Sequence, residues 1–200
     1  MKNNHIIAIT GPSGAGKTTL SHQLEKINYI GIPMHCTTRK KRDDDEKNFY
    51  RYFTHEDYNN LFQQGAFIIS SGDSNIIKKE YGNFYGLLYK DCDYIWQDYS
   101  SLIALVSYKD LSRLLYLKEN GYKINIVNLT FEDIERGVEK RISTPERNIT
   151  DIEIYKRIRC AIDYEKRFGE AIKQYADSVI YTDKIGIEDM TKKVIKDLRL

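Results

Sequence analysis

"GPSGAGKTTL", residues 11–20, decides the reading of this chain. From Gly11 to Thr18 it fits G-x-x-x-x-G-K-[ST], a loop whose backbone N–H groups cradle phosphates. Glycines at 11, 14 and 16 let those N–H groups turn inward and approach phosphate oxygens. The run before it, "HIIAIT" (5–10), is short, isoleucine-rich and reads as a buried strand. The run after it, "KTTLSHQLEKI" (17–27), places Leu20, Leu24 and Ile27 on one face of a helix. An ordinary glycine turn would not need this strand-before, helix-after context. The helix N-terminus offers its dipole to the anion, Lys17 reaches the outer phosphates, and the Thr18 hydroxyl suits Mg²⁺. Gly11, Ser13, Gly14, Ala15, Gly16, Lys17, Thr18 and Thr19 therefore form the candidate site for a nucleoside triphosphate, with Thr18 as metal ligand.

Outward from this loop, apolar runs and helical patterns alternate. Strands are expected at 31–36, 50–53, 66–70, 102–107, 123–129 and 178–182. Helices are expected from a Thr54 capping box to Gln64, over 87–99, after 107 to the "NG" at 120–121, and from a "TFED" box at 130–133 to Ile142. Two more are expected at 151–176 and 187–198, with polar "STPERNIT" (143–150) as an interruption. Alternating strand and helix imply an α/β fold, a P-loop three-layer sandwich with a parallel central sheet. The strands at 50–70 read as an insert on it.

Two hundred residues suit one domain. The net charge of +2 gives no bulk attraction for a polyanion, so polymeric nucleic acid is not an expected partner. No apolar run is long enough to span a bilayer, and the N-terminus does not read as a signal peptide. A cytoplasmic location, with a monomer or weak homodimer, is the expectation. Cys36, Cys92 and Cys160 are odd in number, lack metal-binding spacing, and read as reduced packing residues. The absence of an N-K-x-D base reader argues against a GTP-specific switch protein. Chain length argues against a large motor, which leaves a small kinase.

A second basic run follows in "CTTRKKRDDDEKNFYRYF" (36–53). Two arginines three residues apart beside tyrosines make a cradle for a phosphate dianion, whereas an isolated run of this kind would be a solvated loop. The order "GPSGAGKTTL … TTRKKR … Y-x-Y … GAFI … NFYG" resembles the guanylate kinase family. That family's pattern runs P-loop, T-T-R-x-x-R, E-x-x-G-x-x-Y-x-F, then N-Y-Y-G. The resemblance implies a single domain with core 1–36, 84–136 and 158–200, an acceptor-binding insert at about 37–83 and a lid at about 137–157. It implies that Arg39, Arg42, Tyr50 and Tyr85 bind the acceptor's phosphate, with Asp45 or Glu46 orienting the arginines. Lid arginines Arg141, Arg147 and Arg157 would join Lys17 in catalysis by stabilising charge on the transferring group. Arg136 and Arg159 read as helix-surface residues. Trp96 reads as core, and His5, His22 and His55 receive no role.

The implied reaction is ATP- and Mg²⁺-dependent phosphoryl transfer to a nucleoside monophosphate, GMP or dGMP. The departures fall where that family reads guanine. Ile69 stands for a glutamate, Leu87 for Ser or Thr, Ser107 for an aspartate, and His35 for a serine. These changes keep open a different phosphorylated acceptor, another nucleotide or a ribose bisphosphate. A non-catalytic phosphopeptide-binding module is the third reading, disfavoured by the complete P-loop. An alternative register through "EYGN" would use Tyr81 and Asn83, with Asp73 or Glu80 supplying the acid.

Overall fold

A computed structural model describes residues 4–42, 45, 47–71, 83–142 and 150–200. The chain divides into two compact units, Met1–Ile7 with Asn28–Ile124, and Ala8–Ile27 with Asn125–Leu200. Strand β1 (His5–Thr10) runs through both. Its Ile6, Ile7, Ala8 and Ile9 are wholly buried, each isoleucine contributing about 1.5–3 kcal/mol of burial.

In the first unit, β2 (Ile30–Gly31) pairs in parallel with β7 (Ser101–Leu105), and β7 neighbours β1. A four-stranded sheet follows, in the order β4 (Tyr50–Tyr52), β3 (His35–Thr37), β6 (Tyr85–Leu88), β5 (Phe67–Ser70). Helix α2 (His55–Gln63) starts at Thr54, whose side chain accepts the Asp57 N–H, and ends before Gly65 in the left-handed region. Tyr58, Leu61 and Phe62 of α2 pack with Cys36, Phe67, Phe84 and Leu88 on one face of this sheet. Helices α3 (Tyr89–Asp98) and α4 (Leu111–Glu119) complete the unit, and Trp96 of α3 is buried.

In the second unit, helix α1 (Lys17–Glu25) follows the loop after β1. Strand β8 (Lys123–Thr130) lies between β1 and β9 (Ser178–Tyr181), and β8 and β9 are parallel. The helices are α5 (Ile134–Ile142), α6 (Asp151–Tyr164), α7 (Glu170–Tyr175) and α8 (Ile187–Leu198). A π-helical turn, Glu165–Gly169, joins α6 to α7, so the expected 151–176 helix carries a wide turn.

Several sequence expectations are corrected. The 31–36 segment is not one strand: Ile30–Gly31 and His35–Thr37 belong to different sheets, separated at Pro33, which has no N–H to give a ladder. Leu87 and Leu88 are not helical; they close β6, and α3 begins at Tyr89. Thr130 does not cap α5, because it is still in β8, where its backbone carbonyl accepts the Thr182 N–H. Asp133 caps instead, accepting the Arg136 N–H at 3.0 Å. Cys160 is exposed, unlike buried Cys36 and Cys92. Among the described residues, no helix is long and apolar enough to cross a membrane.

Candidate functional site

The glycine loop in the second unit has the conformation its sequence demands. Gly11, Gly14 and Gly16 have φ of 144°, 80° and 88°, a region closed to most side chains. Gly11 is also fixed by space: a Cβ there would lie 2.2 Å from the Leu129 carbonyl oxygen. Gly16 hands the chain into α1, and its carbonyl accepts the Leu20 N–H at 2.9 Å. Lys17 Nζ donates to the Gly11 and Pro12 carbonyls, both at 2.8 Å, which holds the ammonium across the loop. Burial lowers Lys17 to about 8. Thr18 and Thr19 occupy the first turn of α1, half-buried and exposed respectively, while Ser13 is exposed and Ala15 buried.

A cleft of about 210 Å³ is lined by Pro12 and Ser13 of the loop and by Lys156, Arg157, Cys160 and Tyr164 of α6. Arg157 is thus brought to the phosphate loop. Tyr164 and Thr10, the residue before the loop, share a hydroxyl hydrogen bond of 3.2 Å. The next residue, Glu165, accepts from Thr130 Oγ1 at 3.3 Å and pairs with Lys173 at 2.6 Å. Arg141 is not among the residues that line the cleft; its Nη2 donates to the Thr182 carbonyl at 2.9 Å. Arg147 lies outside the described residues. Arg136 and Arg159 are exposed on their helices.

The first unit carries a second assembly. Its sheet register places His35 beside Tyr50, and Thr37 between Tyr52 and Tyr85. Because strand side chains alternate, these residues share one sheet face, opposite the face packed by α2. Arg39 is only 6% exposed and forks onto Asp45, with Nη1 to Oδ2 at 2.6 Å and Nη2 to Oδ1 at 2.5 Å. Its guanidinium sits over the Tyr50 ring at 4.6 Å and within 5.7 Å of the Tyr52 ring centroid. Asp45 also accepts the Arg42 N–H at 2.7 Å and the Tyr52 hydroxyl at 2.6 Å. Burial would raise the Asp45 carboxyl, but the Arg39 and Tyr52 hydrogen bonds outweigh it and hold it well below the usual carboxylate range. Tyr50 is pushed up by burial, against the neighbouring Arg39 charge.

Asp45 therefore holds Arg39, while Glu46 lies outside the described residues. The Arg42 side chain is exposed, and its backbone N–H is anchored by Asp45. Asn48 adopts a φ of 67° three residues after Asp45, where the E-x-x-G pattern places its glycine. Asparagine tolerates that conformation better than most side chains. The sequence reading missed Tyr52, although the spacing Tyr50-x-Tyr52 puts both rings on one face of a strand. The alternative register, with Asp73, Glu80 and Tyr81, lies outside the described residues.

The positions that correspond to those where the guanylate kinases that the chain resembles read guanine are apolar or engaged. Ile69 and Leu87 are direct cross-strand partners and nearly fully buried. The His35 ring stacks on Phe49 at 5.1 Å, and its Nε2 accepts the Leu105 N–H at 2.8 Å. Burial depresses His35 to about 4, so it stays neutral at pH 7. Ser107 caps the short helical turn before α4 in a box with Asp110, whose carboxylate accepts the Ser107 N–H at 2.7 Å.

A glycine cradle between a buried strand and a helix, in an α/β chain with parallel pairing, defines a P-loop protein of the phosphoryl-transferring kind. Within that class the chain resembles the guanylate kinases over nearly its whole length. It is 27% identical over 210 residues to a guanylate kinase of Clostridium perfringens, covering 98% of this chain and 92% of that one. It is 26% identical to one of Clostridium acetobutylicum over 86% of this chain and 78% of the relative. No family model matches the chain. The crystal structure of guanylate kinase from Anaplasma phagocytophilum superposes with a TM-score of 0.67, covering 100% of this chain and 86% of that one at 16% identity. That superposition bears out the fold class expected from the sequence.

Proposed function

We propose that the chain is a nucleoside monophosphate kinase that transfers the γ-phosphoryl group of ATP to GMP or dGMP. The observation that supports this reading is the glycine cradle closed by Lys17 together with a buried arginine, Arg39, set among Asp45, Tyr50 and Tyr52, residue types suited to holding two phosphates. Both follow the order found in the guanylate kinases it resembles. The acceptor phosphate is already an oxyanion at neutral pH, so the transfer needs no general base. Positioning and charge stabilisation supply the catalysis.

In this reading Lys17 neutralises the donor's outer phosphates, and Arg39, Arg42, Tyr50 and Tyr85 position the acceptor. Arg157 approaches the transferring group from α6, with Arg141 and Arg147 in supporting roles. The half-buried Thr18 hydroxyl in the first turn of α1 fits a magnesium ligand. Magnesium would offset charge on the β- and γ-phosphates. The lid and acceptor-insert boundaries expected from the sequence belong to the same proposal.

One observation favours a second reading, a different phosphorylated acceptor: Ile69 and Leu87 offer no hydrogen bond to a base. A coupled assay with Mg-ATP across GMP, dGMP, AMP, CMP, UMP and ribose 1,5-bisphosphate tests both. The expected result is the highest kcat/KM with GMP or dGMP, abolished by Lys17→Met. No turnover with any acceptor would overturn the kinase reading, and a preference for the sugar bisphosphate would replace GMP.

A further inference from the structure

We propose that Tyr52 is a positioning residue for the acceptor, acting through Asp45 on Arg39. The inference rests on the acceptor-site reading above. Among the described residues, Arg39, Arg42 and Tyr52 converge on one carboxylate, that of Asp45. Its Oδ2 receives three donors: Arg39 Nη1 at 2.6 Å, the Arg42 N–H at 2.7 Å and the Tyr52 hydroxyl at 2.6 Å. Its Oδ1 receives Arg39 Nη2 at 2.5 Å.

Of these donors, only the Tyr52 hydroxyl comes from outside the loop. It is carried by a strand whose register is set by pairing with His35, Cys36 and Thr37. The other three come from the loop that must itself be held in place. Tyr52 thus ties the carboxylate to the sheet, and the carboxylate fixes the plane and tilt of the Arg39 guanidinium. Tyr50 meets that guanidinium with its ring, 4.6 Å from the ring centroid. The two tyrosines of Y-x-Y therefore divide the work: Tyr50 stacks on the cation, and Tyr52 aims it. Where the Y-x-F pattern has phenylalanine, the ring would remain and this hydroxyl would be missing.

A bidentate phosphate grip depends on the orientation of the guanidinium fork more than on its charge. Losing the Tyr52 hydroxyl leaves the Arg39 charge and its pairing with Asp45 but frees that pair from the sheet and loosens the fork. The cost therefore falls on acceptor binding and spares the donor.

The test uses the full chain with Tyr52→Phe, which keeps the ring over Arg39. GMP binding is measured by calorimetry without ATP, and steady-state kinetics are measured with both substrates varied. The expected result is a rise of about tenfold in both the Kd and the KM for GMP, from loss of a hydrogen bond to a charged group. The kcat and the KM for ATP should stay within twofold. Tyr52→Leu, which also removes the ring, should weaken GMP further. Unchanged GMP binding in Tyr52→Phe would overturn the proposal, as would equal losses in kcat and both KM values. If the wild type binds GMP but transfers no phosphate, the kinase reading fails while the calorimetric arm still decides Tyr52. Absence of GMP binding in the wild type overturns both.

Discussion

Asp45→Ala removes the carboxylate at the centre of the Arg39 cluster and leaves a guanidinium that is 6% exposed without its counter-ion. Breaking a buried ion pair from one side costs about 3–5 kcal/mol, because the remaining charge stays desolvated. The neighbouring Lys40, Lys41 and Arg42 are exposed, so water can reach the loop and the lower end applies, about 3 kcal/mol. Set against a total stability of about 5–15 kcal/mol, the variant still folds. Urea unfolding followed by circular dichroism is the assay. With a slope of about 2–3 kcal/mol per molar, the midpoint should fall by roughly 1–1.5 M. Adding Arg39→Met removes the stranded cation, so the double variant should be more stable than Asp45→Ala alone. The effect has a pH signature. The Asp45 carboxyl is depressed in the folded state, so its contribution is present above the unfolded value near 4 and is lost as pH falls further. The gap between wild type and Asp45→Ala should therefore narrow below pH 4. A cost under 1 kcal/mol at pH 7, or a double variant no better than the single, would refute the buried-pair account.

Lys17→Met should abolish turnover yet raise stability at pH 7 by about 1–2 kcal/mol, since a desolvated ammonium is removed. Wild type should gain stability between about pH 8 and 10.5, where the unfolded lysine holds a proton the folded one has released, and the variant should not. Asp110 is 1% exposed and burial pushes it up to about 7. Asp110→Asn should match wild type near pH 4 and exceed it by on the order of 1–3 kcal/mol at pH 8 in thermal melts, because the wild-type carboxyl must ionise while buried. Gly11→Ala should cost more than about 3 kcal/mol or prevent folding, measured by urea titration, because its Cβ has no room beside Leu129 and its φ of 144° excludes a side chain.

The phosphate loop was legible because its constraints are local. Three glycines, a lysine and a threonine at fixed spacing say where the backbone must turn left-handed, and Gly11, Gly14 and Gly16 do so. The cap at Thr54 and the stop at Gly65 were legible for the same reason. The four-stranded sheet was harder. Leu87 and Leu88 run directly into the apolar positions of α3, and no turn residue separates strand from helix. Nothing local tells such a run which period to follow; cross-strand partners Cys36, Phe67 and Ile69 decide it. The Thr130 box failed because its residues were consumed by β8, a tertiary pairing with β9 that outranks a capping preference. Arg39 and Asp45 could be read as charges of opposite sign in one loop. That Asp45 would collect a hydroxyl from Tyr52 required the strand register, which composition does not encode.

The wide turn at Glu165–Gly169 bears on how Arg157 is kept in the cleft beside Pro12 and Ser13. A π turn holds one more residue than an α turn, so deleting a single residue there would restore regular winding. Everything on one side would then swing by about 100° relative to the other. The Tyr164–Thr10 bond and the Glu165–Lys173 pair pin the two sides against such a swing. The extra residue works as a phasing shim: it lets one continuous helical rod present its early turns to the glycine cradle while Glu165, in the wide turn, reaches Thr130 of β8.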